Sequence, residues 1–392
     1  MTPTLASWVA ACFVLLVLVV VVRWSMRLGD SLRSEPRIDE AKENELPATP
    51  PVVSVIIPAK DEEFHVGAAV RSVLASNYPR FEVVAVNDRS GDGTGAVLSA
   101  LEHEDPRIRV VSVTDLPHGW TGKTHALYRG CLAARGELLV FMDADTVLSP
   151  DALRKAVVFV CANNVGMLSL VPEFAERGFS ENVVHPHLIL ALCWMYPLQD
   201  VNDGSKEVGI ASGAFIMIRS DVYASVGTWS SLRSEITEDL ALSRAVKAKG
   251  HRLLLARAGN LVRTRKFRNF GELSRFWTRT LYGGLQKSVF KTAQVLMNYI
   301  LLTVLAGCLI VSAALTIMDR GSFPVHLTLL TSLVAMIGVI VAFGLFTRRE
   351  SGAWIYSLAA PIGIVLSGWI ALRALVVLLT DRGISWRGSL YR

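Results

Sequence analysis

Two carboxylates one residue apart, Asp143-Ala144-Asp145, follow directly on the apolar run Leu138-Leu139-Val140-Phe141-Met142. A buried strand ending in acids carries them to a strand end, where open α/β sheets bind their ligands. Such a pair can hold a divalent cation between protein and diphosphate, neutralising charge on a departing nucleotide. The spacing therefore suggests sugar-nucleotide chemistry. It is not specific by itself, because Glu43-Asn44-Glu45 and Glu102-His103-Glu104 repeat it in polar stretches; the strand before it makes the difference. Other charged residues stand at expected element ends: Asp61 after a first strand, Asp88 after a second, Lys123 before a helix, and Glu238-Asp239. Each alone could be a solvated turn or a helix cap. Together they converge on one edge.

The elements that would position these groups alternate. Val52-Val53-Ser54-Val55-Ile56-Ile57-Pro58 is a β-rich run, and Val66, Ala69, Val70, Val73 and Leu74 then keep helical spacing. A strand over 81–86 runs into Asn87-Asp88-Arg89-Ser90-Gly91-Asp92-Gly93-Thr94, followed by a helix over 95–104 and a strand over 108–113. A helix over 123–135 leads to the strand over 138–142. This order predicts an α/β domain with right-handed crossovers and ligand loops at strand ends. After Asp145 the pattern loosens to a helix over 151–162, a strand over 166–170 and an apolar helix over 179–198. That last helix suits either the core or a membrane surface where a lipid acceptor enters.

Hydrophobic residues make up 52% of the chain, more than a soluble enzyme needs, so part of it must lie in lipid. Residues 5–22 carry no charge and match the roughly 20 residues that cross a bilayer core. A signal peptide would want a basic start and a small-residue cleavage site; neither is present, so an uncleaved anchor is expected. Further apolar stretches cover 293–318, 323–346 and 352–380. Arg23, Arg27, Arg33 and Arg37 after the first span, Lys287 and Lys291 before the second, and Arg348 and Arg349 after the third place the polar block in the cytoplasm of a multi-pass inner-membrane protein. Arg382, Arg387 and Arg392 disagree with simple alternation. The last stretch, with Pro361, Gly363, Gly368 and Arg373, could be broken or re-entrant.

The net charge of +6 is accounted for by these flanking arginines, and no nucleic-acid partner is expected. Five scattered cysteines without CxxC spacing predict neither disulfides nor a zinc site. The expected organisation is an anchor over 1–27, a linker over 28–51, a catalytic domain over 52–285 with an interfacial helix near 270–288, a membrane region over 293–380 and a tail over 381–392.

In order and spacing, Lys60-Asp61-Glu62-Glu63, Asn87-Asp88-Arg89-Ser90-Gly91-Asp92-Gly93-Thr94, Asp143-Ala144-Asp145 and Thr237-Glu238-Asp239 resemble the family 2 inverting glycosyltransferases. The resemblance implies a GT-A nucleotide-sugar fold, Rossmann-like with a mixed sheet, joined here to transmembrane helices. It implies that Asp61 and Asp88 contact the nucleoside, that Asp143 lies near ribose or diphosphate, and that Asp145 binds Mg2+ or Mn2+. Asp239 would be the base that deprotonates an acceptor hydroxyl, with Glu238 beside it. Ala211-Ser212-Gly213-Ala214-Phe215 is similar to the family's small-residue segment beneath the acceptor, or is a tight strand. Gly119-Trp120-Thr121-Gly122-Lys123 resembles hopanoid-associated, carotenoid-type and ceramide-type lipid glycosyltransferases, with Lys123 near a phosphate. The family's Gln-x-x-Arg-Trp motif is incomplete: Arg279 could still bind diphosphate, but the leading Gln and the following Trp are absent. The expected activity is transfer of one sugar from a nucleotide donor, UDP-sugar by default, to a membrane lipid such as a hopanoid. A processive polysaccharide synthase and a catalytically silent scaffold are the alternatives.

Overall fold

The computed structural model describes residues 5–33, 36–38, 46–174, 178–265, 267, 269–318, 323–351, 354–380, 384–386 and 389–391. The tail arginines Arg382, Arg387 and Arg392 and much of the linker lie outside the described residues. Two compact units emerge. One comprises Ser34–Glu176 and Leu198–Arg265; the other comprises Met1–Arg33, Arg177–Pro197 and Lys266–Arg392.

The first unit is built on ten strands: β1 (Val53–Ala59), β2 (Phe81–Asp88), β3 (Ile108–Val113), β4 (Leu138–Met142), β5 (Thr146–Leu148), β6 (Met167–Val171), β7 (Glu173–Phe174), β8 (Phe215–Arg219), β9 (Leu253–Arg257) and β10 (Val262–Thr264). Seven form a mixed sheet in the order β3-β2-β1-β4-β8-β6-β9. The first four run parallel, as the βα alternation requires. β4 is buried along its whole length, which is why its sequence is an unbroken apolar run instead of an alternating one. Beneath the sheet, Val55, Ile57, Val140, Val157 and Leu168 share one dry core with the helices Val66–Leu74 and Ala152–Ala162. Each such side chain contributes roughly 1.5–3 kcal/mol on leaving water.

Direction reverses at β8, which runs antiparallel to β4 with Met142 opposite Phe215. That pairing places the segment entering β8 beside the acids leaving β4. A second sheet, ordered β5-β10-β7, stands next to Asp145, and β5 and β10 are antiparallel with Thr146 opposite Thr264. Arg37, in the stretch expected to be linker, bridges Arg257 on the edge of β9, and Ile38 is fully buried there. Main-chain pairing of this kind covers an otherwise open sheet edge.

The second unit is helical: Leu5–Arg33, Phe179–Met195, Phe270–Gly284, Val289–Ile317, Phe323–Ser351 and Ala360–Thr380. Among the described residues, Val289–Ile317, Phe323–Arg348 and Trp354–Thr380 are long and apolar enough to cross a membrane, which fits a membrane-associated protein, and Trp8–Arg23 is a shorter apolar helical stretch. Outward side chains such as Ile310 and Leu345 are 70% and 65% exposed, an apolar surface suited to lipid. The last stretch is interrupted near Pro361, beginning as a 3-10 helix, Trp354–Ala359, and continuing as an α-helix. Arg373 within it is not left bare: it donates to Ser274 Oγ at 2.7 Å and lies over the Trp369 ring. Phe179–Met195 belongs with these helices, where the Trp277 indole donates to His185 Nδ1 at 3.1 Å and the Tyr299 hydroxyl to the His187 carbonyl at 2.9 Å.

Candidate active site

The loops after β1 and β2 are stitched together mainly by main-chain amides. The Asp61 amide donates to Ser90 Oγ at 3.1 Å, and the Gly91 amide returns a bond to Asp61 Oδ1 at 2.8 Å. The Glu62 amide donates to Thr94 Oγ1 at 2.8 Å and the Gly93 amide to Glu63 Oε2 at 2.8 Å. Lys60 Nζ reaches the Arg89 carbonyl at 3.0 Å. Asp61 and Arg89 both adopt positive φ, 52° and 53°, a conformation that costs a side-chain-bearing residue about 1–3 kcal/mol and persists only where its surroundings impose it. Just before the helix Thr94–Glu104, whose N-cap is Gly93, Asp92 accepts from the Thr94 amide at 3.0 Å. Slight desolvation at this exposed site pushes its carboxyl up, but the bonds from Thr94 and the Glu63 amide outweigh that and hold it below the usual carboxylate range.

Asp88 ends β2 almost wholly buried and is paired with its neighbour, Arg89 Nε to Oδ1 at 2.7 Å and Nη2 to Oδ2 at 3.1 Å. The helix Gly122–Ala133 starts hard against this pair. A Cβ on Gly122 would stand 2.8 Å from Asp88 Oδ2 and 2.9 Å from Arg89 Nη2, so a side chain there would displace this pair.

The rest of the site is held by side-chain cations. Lys123 Nζ lies 2.6 Å from Asp143 Oδ1 and 2.5 Å from Glu238 Oε1. Burial alone would lower the lysine, but Asp143, Glu238 and Asp239 together raise it, so it is firmly charged. Asp239, in the first turn of the helix Glu238–Ala248, accepts from the Gly213 amide at 3.0 Å. Its carboxyl is pushed up to about 6 by burial and by Glu238, with Lys123 pulling the other way. Gly213 is wedged between: a Cβ there would sit 3.3 Å from Lys123 Nζ and 3.4 Å from Asp239 Oδ2. Lys123, Asp143, Gly213, Trp229 and Glu238 line one recess. Asp145 meets Arg265, Nε to Oδ2 at 3.1 Å. Burial raises its carboxyl, as do Asp143 and Glu62, while Arg265 opposes them.

Gly119-Trp120-Thr121-Gly122-Lys123 does more than supply the lysine. Thr121 caps its helix by accepting from the Thr124 amide, and its own amide donates to the Arg233 carbonyl at 2.7 Å. Thr124 Oγ1 donates to the same carbonyl at 2.7 Å. The segment carrying Lys123 is thereby tied to the one leading into Thr237-Glu238-Asp239.

Of the residues singled out by sequence, Asp143, Lys123 and Glu238 line one recess, with Asp239 bonded to the Gly213 amide at its edge; Asp61 and Asp88 stand at the ends of the neighbouring strands β1 and β2, and Asp145 faces the β10 end. Arg279 lies on Phe270–Gly284 in the helical unit, its guanidinium 5.8 Å from the Phe276 ring centre. Sequence reasoning missed Arg265, and it placed Glu62 and Asp92 in the motifs without giving them a role. Arg265 carries no local signal, because its place follows from the β5–β10 register. Among the described residues no group of three or more His, Cys, Asp and Glu is placed to hold a metal ion.

Residues 50–283, more than half of the chain, match the model of the family described as glycosyltransferase like family 2. The 4,4'-diaponeurosporenoate glycosyltransferase of Staphylococcus aureus strain MRSA252 is 26% identical over 271 residues, 68% of this chain and 70% of that one. Its counterpart in strain USA300 is 27% identical over the same shares. Among solved structures, a mannosyltransferase from Pyrobaculum calidifontis in complex with GDP-Man and Mn2+ aligns with a TM-score of 0.52 at 17% identity, covering 95% of this chain and 99% of that one, a likeness of fold. The mixed sheet, the acids gathered at its edge and the family match lead to one conclusion: the chain belongs to glycosyltransferase family 2 and is a GT-A glycosyltransferase with apolar helices suited to a membrane.

Proposed function

We propose that the enzyme transfers a single sugar, with inversion, from a nucleotide-sugar donor to a hydroxyl of a membrane lipid. The observation that carries this reading is the cluster around Lys123, which joins the donor-side acid Asp143 to Glu238 and Asp239 on the acceptor side. Inverting transfer is one displacement: the acceptor oxygen bonds to the anomeric carbon, the bond to the diphosphate breaks, and the hydroxyl proton must leave. Asp239 takes that proton, and a carboxyl poised near 6 is suited to do so at neutral pH. Glu238 keeps Lys123 in place beside it. Asp61 and Asp88 hold the nucleoside, while Asp143 and Lys123 serve the diphosphate. No residue need become covalently modified.

The chemistry of the donor set favours a cation shared with the substrate. One carboxylate plus donor phosphates suffices for Mg2+ or Mn2+, and Asp145 is the residue that would hold it. When bound, the cation would offset charge growing on the leaving diphosphate. Asp145 and Asp143 orient that diphosphate from the end of β4.

A lipid acceptor is supported by the candidate spans and by relatives named for a carotenoid acid. A hopanoid is one such acceptor, and UDP-sugar is the default donor. Basic residues flanking the apolar stretches favour a multi-pass arrangement in the inner membrane with the catalytic domain, about 52–285, in the cytoplasm. The test is a screen of UDP- and GDP-sugars with Mn2+, detergent-purified protein and total bacterial lipid extract. Lipid-dependent release of nucleotide from one donor, with a glycolipid carrying one sugar found by mass spectrometry, is the expected result. A ladder of longer chains would overturn single transfer, and donor binding without release from any donor would overturn the activity proposed for this lipid pool.

A further inference from the structure

We propose that Arg265 is a positioning residue: it pairs with Asp145 and yields that carboxylate when a divalent cation arrives with the donor's diphosphate. The inference rests on the reading above and extends it to a residue outside the four motifs.

The placement is built by backbone pairing. Thr146 opposite Thr264 is the outermost pair of the antiparallel β5–β10 ladder, so the next residue on each strand, Asp145 and Arg265, must face one another. They meet at 3.1 Å with side chains 25% and 28% exposed, well sheltered from water. Asp145 is crowded by like charge from Asp143 and Glu62, and the guanidinium is what balances it. With no ready-made cage of three ligands among the described residues, an incoming cation depends on phosphate oxygens to complete its shell. Guanidinium and cation then compete for Asp145 Oδ2. A displaced guanidinium is matched in shape and charge to the diphosphate that displaced it.

The experiment measures Mn2+ binding by the loss of the free-ion paramagnetic signal, using full-length protein in detergent, alone and with saturating UDP or GDP. Wild type is expected to bind Mn2+ weakly alone and much more tightly with one of the nucleotides. Arg265→Met is expected to bind Mn2+ alone roughly fivefold more tightly, the equivalent of one sheltered ion pair removed, and to lose most of that advantage when nucleotide is present. Arg263→Met removes the same charge from an exposed position on β10 and should match wild type. Arg265→Lys, which keeps the charge without the planar fork, should fall between, and it carries the test should the Met variant not fold. Equal Mn2+ affinity in wild type and Arg265→Met, or an equal gain in Arg263→Met, would overturn the role of Arg265 alone. No Mn2+ uptake by any of these proteins with either nucleotide would overturn the metal reading as well.

Discussion

The two halves of the reaction edge are held by different means. Around Asp61, Asp88 and Asp92, acids bond mostly to main-chain amides, hydroxyls and an adjacent arginine, and the loops lock one another. Around Asp143, Asp145, Glu238 and Asp239, acids crowd together and are balanced by two long side chains, Lys123 and Arg265. The first half is preorganised, as a site for an uncharged nucleoside can be. On the proposed function, the second would trade partners when a charged diphosphate enters, because side chains can move where a main-chain lock cannot.

Breaking the cation-balanced half should cost most. Asp239→Asn is expected to lower kcat by about 1,000-fold while leaving donor affinity within about twofold, read by steady-state transfer and calorimetric donor titration. A parallel loss of donor affinity would mean the acid does not belong to the acceptor side. Lys123→Met should lower kcat by about 100-fold and move the acid limb of the kcat/KM profile. The direction is fixed by charge. Asp239 acts as a base only when ionised, so in wild type kcat/KM falls as pH drops through about 6; without the lysine its carboxyl rises further, and the limb shifts to higher pH. An unmoved limb would assign that titration to another group.

The preorganised half should respond through stability and donor binding. Gly122→Ala forces a methyl against Asp88 and Arg89, with an expected loss of about 1–3 kcal/mol in thermal or denaturant unfolding and a raised donor KM. Asp92→Ala removes the bonds from Thr94 and from the Glu63 amide, costing about 1 kcal/mol with kcat near the wild-type value. Should Asp92→Ala lower kcat instead of raising donor KM, the division between halves would not hold.

Most of this edge was legible because it lies where strong local patterns end. Asp61, Asp88 and Asp143 each follow an apolar strand, and Thr237-Glu238-Asp239 opens a helix. What escaped depended on distant pairing. Arg265 is 120 residues from Asp145 in sequence and is brought there by strands of three residues, too short to show a period. Lys123 was legible as a charge at a helix start, but not as the bridge between Asp143 and Glu238, because that requires knowing that β8 runs backwards beside β4. The locks around Asp92 and Thr94 escaped for a related reason: loop residues reveal their partners only after two strands are paired.

The reversal at β8 also tells a protein engineer which end of that strand must not shift. Phe215 enters the strand beside Met142, whereas Arg219 leaves it opposite Leu138, at the far end of the sheet. The Arg219 end of β8 therefore lies a full strand length from Asp143. A single residue deleted just before Phe215 would withdraw Gly213 from its slot between Lys123 and Asp239 and silence the enzyme without touching a charged group.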